Sequence, residues 1–456
     1  MEFLDINKIS DECDYNEVVK AFQNGELKDG DTVKFKCSIY TIRDKGGMVF
    51  IAMRGARGNT FQMVWEEGKT DVDIRAYKNE DCVIAEGKII ESEWSNVGFD
   101  ILVTKLEKVG GAVVEQFPVD ISKAKQMRNL QMPTLLNNRV LTLRNIRERA
   151  IIKVCEGVMT SFRDFLRSEG FTEFVPPKMV QAGAEGGAEM FEIDYFGNKA
   201  YLNQSPQMYK QIMVGVFRKV FTVSPVFRAE NSQTNRHLTE FTGLDFEMGF
   251  IDSFEDIMAV EARLFQYMFK FINENYEQEL DIVLGRGERL PELTQFPKIK
   301  FAEVKRLYAE AHNIPKIADP MDLSPDEETW IGQYFLEQCG SPIVFVTHYP
   351  SKKRPFYAMD DPENPDYTLS FDMLLYGLEV TTGGQRINDY NMQVEKMRAR
   401  EMDIADFEDY LAMFKYGMPP HGGLGLGMER IVQKLLKLDN IKKATAFPRD
   451  TERLRP

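Results

Sequence analysis

Short runs in which apolar and polar residues alternate fill the first quarter of the chain. From Asp31 onward, apolar residues occupy every second position: Val33, Phe35, Cys37 and Ile39. This is the period of a half-buried β-strand. Similar runs follow at Met48–Met53, Phe61–Trp65, Cys82–Ile90 and Phe99–Val103. Five short strands within about 80 residues are typical of a small barrel such as an OB-fold, which often binds single-stranded nucleic acid or oligosaccharide.

The pattern changes further along the chain. Periodicity is lost between residues 110 and 138, which we interpret as a hinge. Apolar residues then recur at helical spacing from Leu141, and Gly170 is placed to end that helix. Pro176 and Pro177 favour an extended segment suited to a turn or an interface. The sequence thus predicts a leader at 1–30, a barrel at 31–109, a hinge at 110–138 and a larger domain at 139–456.

Within the larger domain, residues 205–210 begin a helix that carries polar groups. Ser205 as N-cap and Pro206 at the first helical position form a strong start signal. Gln207 and Lys210 share one helical face near the positive end of the helix dipole. This pair is suited to receive an anion.

The stretch Phe227–Met248 concentrates charge between two apolar runs, which predicts a strand, a polar loop and a second strand. Period two places four apolar residues on one face of the second strand: Leu244, Phe246, Met248 and Phe250. The opposite face holds one aromatic residue and two carboxylates: Phe241, Asp245 and Glu247. Since these carboxylates point away from the core, their face contacts either a ligand or solvent.

Two later stretches also embed polar groups in apolar strands. Residues 370–389 carry Asp372, Glu379, Thr382, Gln385 and Arg386. Glu379 and Thr382 differ in parity, so both can face one ligand only if the strand bulges between them. Residues 421–438 form a glycine-rich strand that leads into a helix with Arg430 in its first turn. The glycines allow a flat ligand to approach closely.

The remaining segments contain fewer candidate functional residues. Glu185 lies among glycines and alanines, a pattern that fits either a ligand-contacting loop or a flexible turn. Residues 253–281 have the pattern of an amphipathic helix. We interpret residues 288–350, which alternate short helices and strands, as scaffold or insertion.

Length and composition narrow the class of protein. At 456 residues, with 43% hydrophobic and 28% charged residues, the chain resembles a globular protein of two or three domains. The acidic N-terminus lacks a secretion signal, and no run approaches the ~18 apolar residues of a membrane helix, so we expect a cytoplasmic location without membrane contact. Five scattered cysteines and four histidines indicate neither disulfides nor zinc, which leaves a hard cation such as magnesium, held by carboxylates.

Charge and motifs limit the possible chemistry. A net charge of -14 argues against unspecific nucleic-acid binding, although not against a local basic groove. The sequence has no GxxxxGKS/T loop, no GxGxxG after a strand and no Ser or Cys nucleophile signature. Its arginines and carboxylates suit nucleotide chemistry in which the protein positions the reactants and neutralises phosphate charge.

Several motifs together carry a family resemblance. FRAENSQTNRHLTEFTGLDFEM, GGLGLGMERIVQ and GFTEFVPPKMV resemble motifs 2, 3 and 1 of class II aminoacyl-tRNA synthetases. Within that class, EGGAEMF, QSPQMYKQ and GLEVTTGGQRI resemble the archaeal and eukaryotic type of aspartyl-tRNA synthetase. The similarity covers nearly the whole chain. It implies an α+β protein in which an OB-fold β-barrel precedes a catalytic domain with an antiparallel sheet flanked by helices.

The resemblance implies an aspartate–tRNA ligase. Such an enzyme activates L-aspartate with ATP to aspartyl-adenylate and transfers aspartate to the 3′ end of its tRNA, releasing AMP and pyrophosphate. Two alternatives stay open: an asparaginyl-tRNA synthetase and a catalytically inactive RNA-binding paralogue. The resemblance also implies a homodimer with Pro177 near its interface. It implies the tRNA for aspartate as a partner and leaves open whether the tRNA for asparagine is a second one.

The resemblance further assigns residues to ATP and magnesium. Arg228 would bridge the substrate carboxylate and the α-phosphate, and it counts with Arg430 as catalytic. The full expected ATP set is Arg228, Glu230, His237, Phe241, Glu379 and Arg430, with the adenine between Phe241 and Arg430. Magnesium would bind at Glu379, Thr382 and Asp372.

Two further groups follow from the same resemblance. The expected amino-acid set is Glu185, Gln207 and Asp245 around the ammonium group, with Lys210 and Arg386 at the side-chain carboxylate. The neutral amide of asparagine would leave those two cations underpaired. The expected anticodon contacts on the barrel are Phe50, Gln62, Glu86 and Arg43.

The sequence departs from the family pattern at three places. Thr382 stands where serine is usual, and it keeps the hydroxyl but adds a methyl group. Asn388 stands where a histidine is frequent. The segment between Phe50 and Gln62 is one residue longer than usual, which bears on the assignment of Gln62.

Overall fold

A computed structural model describes residues 13–55, 60–181, 189–232 and 234–456. The chain divides into two compact units, Met1–Arg149 and Ala150–Pro456, which are taken in turn. Among the described residues, no helix is both long enough and apolar enough to cross a membrane.

The first unit is built on a closed barrel with the strand order β1-β2-β3-β5-β4. Its strands are β1 (Thr32–Asp44), β2 (Met48–Arg54), β3 (Thr60–Glu66), β4 (Cys82–Glu91) and β5 (Phe99–Gly110). Neighbouring strands are antiparallel except β3 and β5, which run parallel and close the barrel. The OB-like barrel predicted from the alternating pattern is confirmed.

Alternation decides which side chains fill this barrel. Phe35 of β1 and Ile51 of β2 are buried inside it. Helix α1 (Tyr15–Gln23) packs on the same core, and the Tyr15 ring stacks on Phe61 with 4.9 Å between the ring centroids. Part of the segment predicted as a leader therefore contributes to the core of the first unit.

The segment predicted as a hinge contains regular structure. It holds the short helices α2 (Ala124–Arg128) and α3 (Met132–Asn137), and α4 (Arg139–Thr142) follows. Apolar residues of this segment form a buried cluster with Tyr40, whose hydroxyl donates to the Ile121 carbonyl at 2.5 Å. Helices this short carry no repeat long enough for a sequence pattern to reveal. The domain boundaries themselves stay a prediction.

The second unit contains an eight-stranded sheet with the order β12-β13-β14-β15-β16-β11-β10-β6 and a smaller sheet with the order β7-β9-β8. The strands are β6 (Thr172–Glu173), β7 (Met179–Val180), β8 (Glu192–Tyr195), β9 (Asn198–Leu202), β10 (Lys219–Phe227), β11 (Glu240–Gly249), β12 (Lys298–Lys300), β13 (Ile343–Thr347), β14 (Ser370–Leu375), β15 (Leu378–Arg386) and β16 (His421–Gly427). The large sheet is antiparallel apart from the pairs β12–β13 and β10–β6.

Helices lie against both faces of the large sheet. They are α5 (Ile146–Ser168), α6 (Gln207–Phe217), α7 (Glu255–Asn275), α8 (Glu277–Val283), α9 (Phe301–Ala311), α10 (Pro325–Cys339), α11 (Tyr390–Ala399), α12 (Glu408–Lys415) and α13 (Met428–Leu435). The main core joins α5, α7 and α13 to apolar residues of β10, β11, β14 and β16. The mixed α+β architecture expected for the larger domain is confirmed.

Three local expectations differ from the structure. The single helix predicted for 253–281 is two helices, because Tyr276 between α7 and α8 leaves helical geometry with φ -128°. Helix α6 begins at Gln207, later than predicted, and Pro206 rather than Ser205 is its cap. Phe250 does not share the core face of β11: the strand ends at Gly249, and Phe250 adopts φ 62° and is exposed.

Phe246→Ala should lower the free energy of unfolding of the second unit by about 3–5 kcal/mol, because its fully buried ring would leave a cavity in the main core. Phe250→Ala is the matched control, since its ring is 66% exposed and its removal should change that free energy by about 0.5 kcal/mol or less. Urea unfolding followed by circular dichroism measures both. Equal losses would contradict the assignment of the core face.

Candidate active site

The carboxylates of β11 are buried on the sheet face opposite the main core. Leu244 and Phe246 enter the core, as the alternation predicts. Asp245 is 5% exposed and Glu247 is 0% exposed, so neither faces bulk solvent. The face that the sequence left open between ligand and solvent is therefore an enclosed polar site.

Glycines of β16 make room for these two carboxylates. A Cβ atom added at Gly425 would lie 2.8 Å from Asp245 Oδ2. A Cβ atom at Gly423 would overlap with Glu247 Oε2 and with the carbonyl of Phe246. The expectation was that these glycines admit a flat ligand; at these two positions they admit carboxylates of the protein itself.

Lys210 and Arg386 neutralise the two carboxylates. Lys210 Nζ lies 2.8 Å from Asp245 Oδ2 and 3.5 Å from Glu247 Oε2, and it donates to the Leu424 carbonyl at 2.8 Å. Arg386 Nε donates to Glu247 Oε1 at 2.9 Å, and its Nη2 donates to the Gln207 side chain at 3.1 Å. The structure brings together four of the five residues expected at the amino acid, and it adds Glu247. The fifth, Glu185, lies outside the described residues.

Lys210 and Arg386 have partners that the sequence did not predict. Lys210 and Arg386 were expected to await a ligand carboxylate, whereas each contacts a buried carboxylate of the protein. Burial raises the pKa of Asp245, and the nearby Lys210 ammonium only partly offsets that rise. Burial also acts to raise the pKa of Glu247, but Arg386 and Lys210 outweigh it and the net pKa is lowered. Of the two carboxyl groups, Glu247 therefore favours the ionised form more strongly than Asp245 does.

Further polar groups that the sequence did not indicate surround the network. Gln211 connects Tyr410, whose hydroxyl donates to it at 3.1 Å, with His421 Nε2 at 2.9 Å. Burial lowers the pKa of His421, which favours the neutral ring. Three buried atoms beside Asp245 have no hydrogen-bond partner in the described part of the chain: Lys178 Nζ, Thr222 Oγ1 and Ser224 Oγ. The alternation along β10 could have predicted that the Thr222 and Ser224 hydroxyls lie on the same face of the strand.

Five of the six residues expected at ATP lie on the β10–β11 hairpin and on α13, and the sixth, Glu379, lies on β15. The Arg228 guanidinium sits 5.5 Å from the centroid of the Phe241 ring and 3.8 Å from Glu230 Oε1. His237 Nδ1 lies 2.6 Å from the Thr234 hydroxyl. Burial lowers the pKa of His237, and the Arg430 charge lowers it further. A half-buried histidine among arginines is a favourable setting for an anion.

Arg430 ties the start of α13 to β15. Its Nη1 donates to the Glu379 carbonyl at 2.9 Å and contacts Glu379 Oε1 at 3.2 Å. The neighbouring Glu429, which the sequence did not single out, accepts the Thr242 amide on both carboxylate oxygens at 3.0 and 3.1 Å. Burial raises the pKa of Glu429 to about 7. These contacts fix β11, β15 and α13 relative to one another.

β15 contains the bulge that Glu379 and Thr382 need in order to face one ligand. The register with β14 shifts so that Glu379 pairs with Leu374 and Thr381 with Met373, which leaves Val380 unpaired. Glu379 and Thr382 consequently face the same way, with the Thr382 hydroxyl 3.4 Å from Glu379 Oε1. Asp372 lies directly across from Thr382 in the neighbouring strand.

The expected metal residues suit a hard cation that is shared with a ligand. Arg354, which the sequence did not indicate, lies 2.8 Å from Asp372 Oδ2, whereas Asp372 Oδ1 has no hydrogen-bond partner among the described residues. Burial raises the pKa of Asp372 to about 6 against the pull of Arg354. The described part of the chain contains no group of three or more Asp, Glu, His or Cys side chains that could hold a metal ion without a further ligand. Magnesium commonly uses one or two carboxylates and completes its shell with phosphate and water oxygens.

One site residue comes from the region interpreted as scaffold. Glu328 of α10 lies with its Oε2 3.2 Å from Arg236 Nη2 and 3.4 Å from the Glu379 amide. Burial raises the pKa of Glu328 to about 7, and the Glu379 carboxylate adds to that rise. No local sequence motif around Glu328 predicts these contacts, because Arg236 and Glu379 are distant in sequence.

On the barrel, three of the four expected residues form one patch. Phe50 is half-buried between the inward-facing Val49 and Ile51, so it lies outside the barrel core. Arg43 is its direct partner on β1, and Gln62 faces Ala52 on the next strand. Glu86 pairs with Lys34 in the other half of β1, away from that patch.

Asn388, the remaining departure, contacts the Met418 carbonyl at 3.5 Å through its side-chain amide.

The chain is similar to known proteins over most of its length. A family model described as tRNA synthetases class II (D, K and N) matches residues 131–451. A relative from Deinococcus radiodurans named aspartate–tRNA(Asp/Asn) ligase is 42% identical over 434 residues, which cover 94% of this chain and 96% of the relative. A relative from Pyrococcus abyssi named aspartate–tRNA(Asp) ligase is 35% identical over 436 residues, covering 94% and 98%.

A solved structure is similar over the same length. Asparaginyl-tRNA synthetase from Pyrococcus horikoshii, complexed with asparaginyl-adenylate, superposes with a TM-score of 0.84 at 33% identity and covers 94% of this chain and 97% of that chain. The family model matches most of the chain, and both relatives align over nearly all of it. The chain therefore belongs to the class II tRNA synthetases of the D, K and N group.

Proposed function

We propose that this protein is an aspartate–tRNA ligase. It activates L-aspartate with ATP and transfers the aspartyl group to the 3′ end of tRNA. The observation that carries the proposal is the buried network of Lys210, Arg386, Asp245 and Glu247 beside a cation-rich hairpin. Relatives named as aspartate–tRNA ligases support it.

In the amino-acid pocket, the substrate's side-chain carboxylate joins the network between Lys210 and Arg386. Its ammonium group lies toward Asp245 and Gln207, with Glu185 as a further acceptor. Asparagine would present a neutral amide to the same cations, which a desolvated site disfavours by a few kcal/mol. The enclosed position of both cations makes this selection effective.

In the activation step, the α-carboxylate of aspartate attacks the α-phosphate of ATP, forms the mixed anhydride and releases pyrophosphate. Arg228 bridges the two reacting groups and neutralises charge that builds on the phosphate. Phe241 and Arg430 hold the adenine and Glu230 accepts its amino group, while His237 contacts the outer phosphates. A hydroxyl of the terminal ribose of tRNA then attacks the carbonyl carbon, and AMP leaves.

Glu379, Asp372 and Thr382 would hold magnesium together with the phosphates. The cation would neutralise phosphate charge and orient the leaving pyrophosphate. The bulge at Val380 directs the carboxylate and the hydroxyl of β15 to one side. Thr382 retains the oxygen ligand that serine supplies elsewhere in the family.

The barrel would bind the anticodon. Arg43, Phe50 and Gln62 offer a cation, a stacking surface and a base-edge contact on adjacent strands, and Glu86 would contribute from the other half of β1. We propose the tRNA for aspartate as the partner. The name of the Deinococcus relative raises the tRNA for asparagine as a second one.

We also propose a homodimer in the cytoplasm, with residues 139–456 as the catalytic domain. The segment around Pro177 exposes Val175 and Met179, two apolar side chains suited to a subunit interface.

Aspartate-dependent exchange of labelled pyrophosphate into ATP tests the reaction directly. We expect exchange with L-aspartate and Mg²⁺, and rates at least about 100-fold lower with L-asparagine, because the buried cations would be left underpaired. Exchange with asparagine alone would favour an asparaginyl-tRNA synthetase. No exchange with either amino acid would exclude activation by this site.

Arg386→Leu should raise the aspartate concentration needed for half-maximal exchange by at least about 100-fold, since loss of one partner of a buried charge pair costs about 3 kcal/mol. ATP binding, measured by calorimetry, should persist. Arg386→Lys keeps the charge and should show a smaller defect. Arg263→Leu is the control, because that guanidinium pairs with Glu169 at the surface. Normal aspartate use by Arg386→Leu would show that another cation binds the side chain.

Phe50→Ala should lower kcat/KM for aminoacylation of the aspartate tRNA transcript by about 10-fold to 100-fold, since one stacked base contributes about 1–3 kcal/mol. Pyrophosphate exchange should be unchanged, because the barrel takes no part in activation. Val109→Ala, an exposed apolar position on β5, is the control. If Phe50→Ala charges tRNA normally, the anticodon lies elsewhere. Charging of an asparagine tRNA transcript would identify the broader specificity.

A further inference from the structure

Contacts at the start of helix α10 and at Gly332 hold this helix in place near the site. Ser324 and Glu327 form a reciprocal capping box at its start, and Glu327 also lies 2.7 Å from the Lys305 ammonium of α9. Gly332 packs on the β14–β15 turn, where an added Cβ atom would lie 2.5 Å from Gly377 Cα. The backbone of α10 therefore has little freedom relative to β15.

Glu328 follows directly after this anchor and faces the strand that carries Glu379. Its side chain is 11% exposed, and one oxygen, Oε2, accepts from both Arg236 Nη2 and the Glu379 amide. Arg236 lies in the loop between β10 and β11, next to His237. One carboxylate thus connects the side chain of a loop arginine to β15.

We infer that Glu328 is a positioning residue of the nucleotide site, which holds Arg236 where the outer phosphates of a nucleoside triphosphate arrive. The inference rests on the proposed function in that it takes ATP to bind along this hairpin. An arginine side chain has several rotatable bonds, and fixing it before binding removes that entropy cost from ATP binding. Glu328 contributes through geometry and not through its charge, which by itself repels phosphate.

Three substitutions of Glu328 should differ in their effect on ATP binding. Glu328→Ala removes the acceptor, so the Kd for Mg²⁺–ATP should rise about tenfold, the usual scale for one hydrogen bond to a charged group. Glu328→Asp keeps the charge but shortens the reach, and it should also weaken ATP binding. Glu328→Gln keeps an oxygen that can accept both donors, and its Kd should stay within about threefold of the wild type.

A double-mutant cycle shows whether Glu328 acts through Arg236. Arg236→Ala alone should weaken ATP binding, and adding Glu328→Ala should change the Kd by no more than about twofold. Glu327→Gln is the matched control one residue away: it weakens the pair with Lys305 and should lower Tm without changing the ATP Kd. The KM for aspartate should stay constant in all of these variants.

Calorimetric titration of each folded variant with Mg²⁺–ATP gives the decisive numbers. Additive effects of the two alanine substitutions, an unchanged Kd in Glu328→Ala, or a Glu328→Gln variant as weak as Glu328→Ala would each overturn the inference. Absence of ATP binding in the wild type would instead overturn the proposed function. A wild type that binds ATP beside unaffected variants would refute only the role of Glu328.

Discussion

Four buried charges on one face of the large sheet constrain much of the second unit. Lys210 and Arg386 balance Asp245 and Glu247 at hydrogen-bonding distance, and all four are almost fully enclosed. Removing any one would leave an uncompensated charge in a desolvated place, which costs several kcal/mol. The network therefore requires glycine at 423 and 425, where side chains would collide with the carboxylates. It also fixes how α6 starts, because that helix must deliver Lys210 to β11.

The same strands serve both ends of the proposed reaction. β11 carries Phe241 at one end and the two carboxylates further along, while β15 carries Glu379 before its bulge and Arg386 at its end. Because strands are stiff and alternate their faces, the distance between the nucleotide and amino-acid regions is set by strand geometry rather than by loops. Arg430 and Glu429 of α13 then tie β15 and β11 together.

Sequence patterns predicted those parts of the protein that depend on local periodicity. The barrel strands and the alternation along Leu244–Glu247 follow from period two alone. Parity showed only that Glu379 and Thr382 need a bulge between them to face one ligand, and the structure supplies that bulge. Partners distant in the chain had no such signal: Arg354 for Asp372 and Glu328 for Arg236 meet only once the sheet and α10 are assembled. The sequence likewise contains no rule that stops β11 at Gly249 or divides the helix at Tyr276.

The charge balance of the whole network explains the choice of amino acid better than two unpaired cations would. Since Lys210 and Arg386 are already neutralised by Asp245 and Glu247, a ligand must bring no net charge into the enclosed region if the balance is to hold. In the proposed mode of binding, the ammonium group and the side-chain carboxylate of aspartate would enter as one positive and one negative charge, while its α-carboxylate would face Arg228. Asparagine would bring the ammonium alone and leave an excess positive charge. On this view selectivity would depend on the whole network, including Glu247, which contacts both cations.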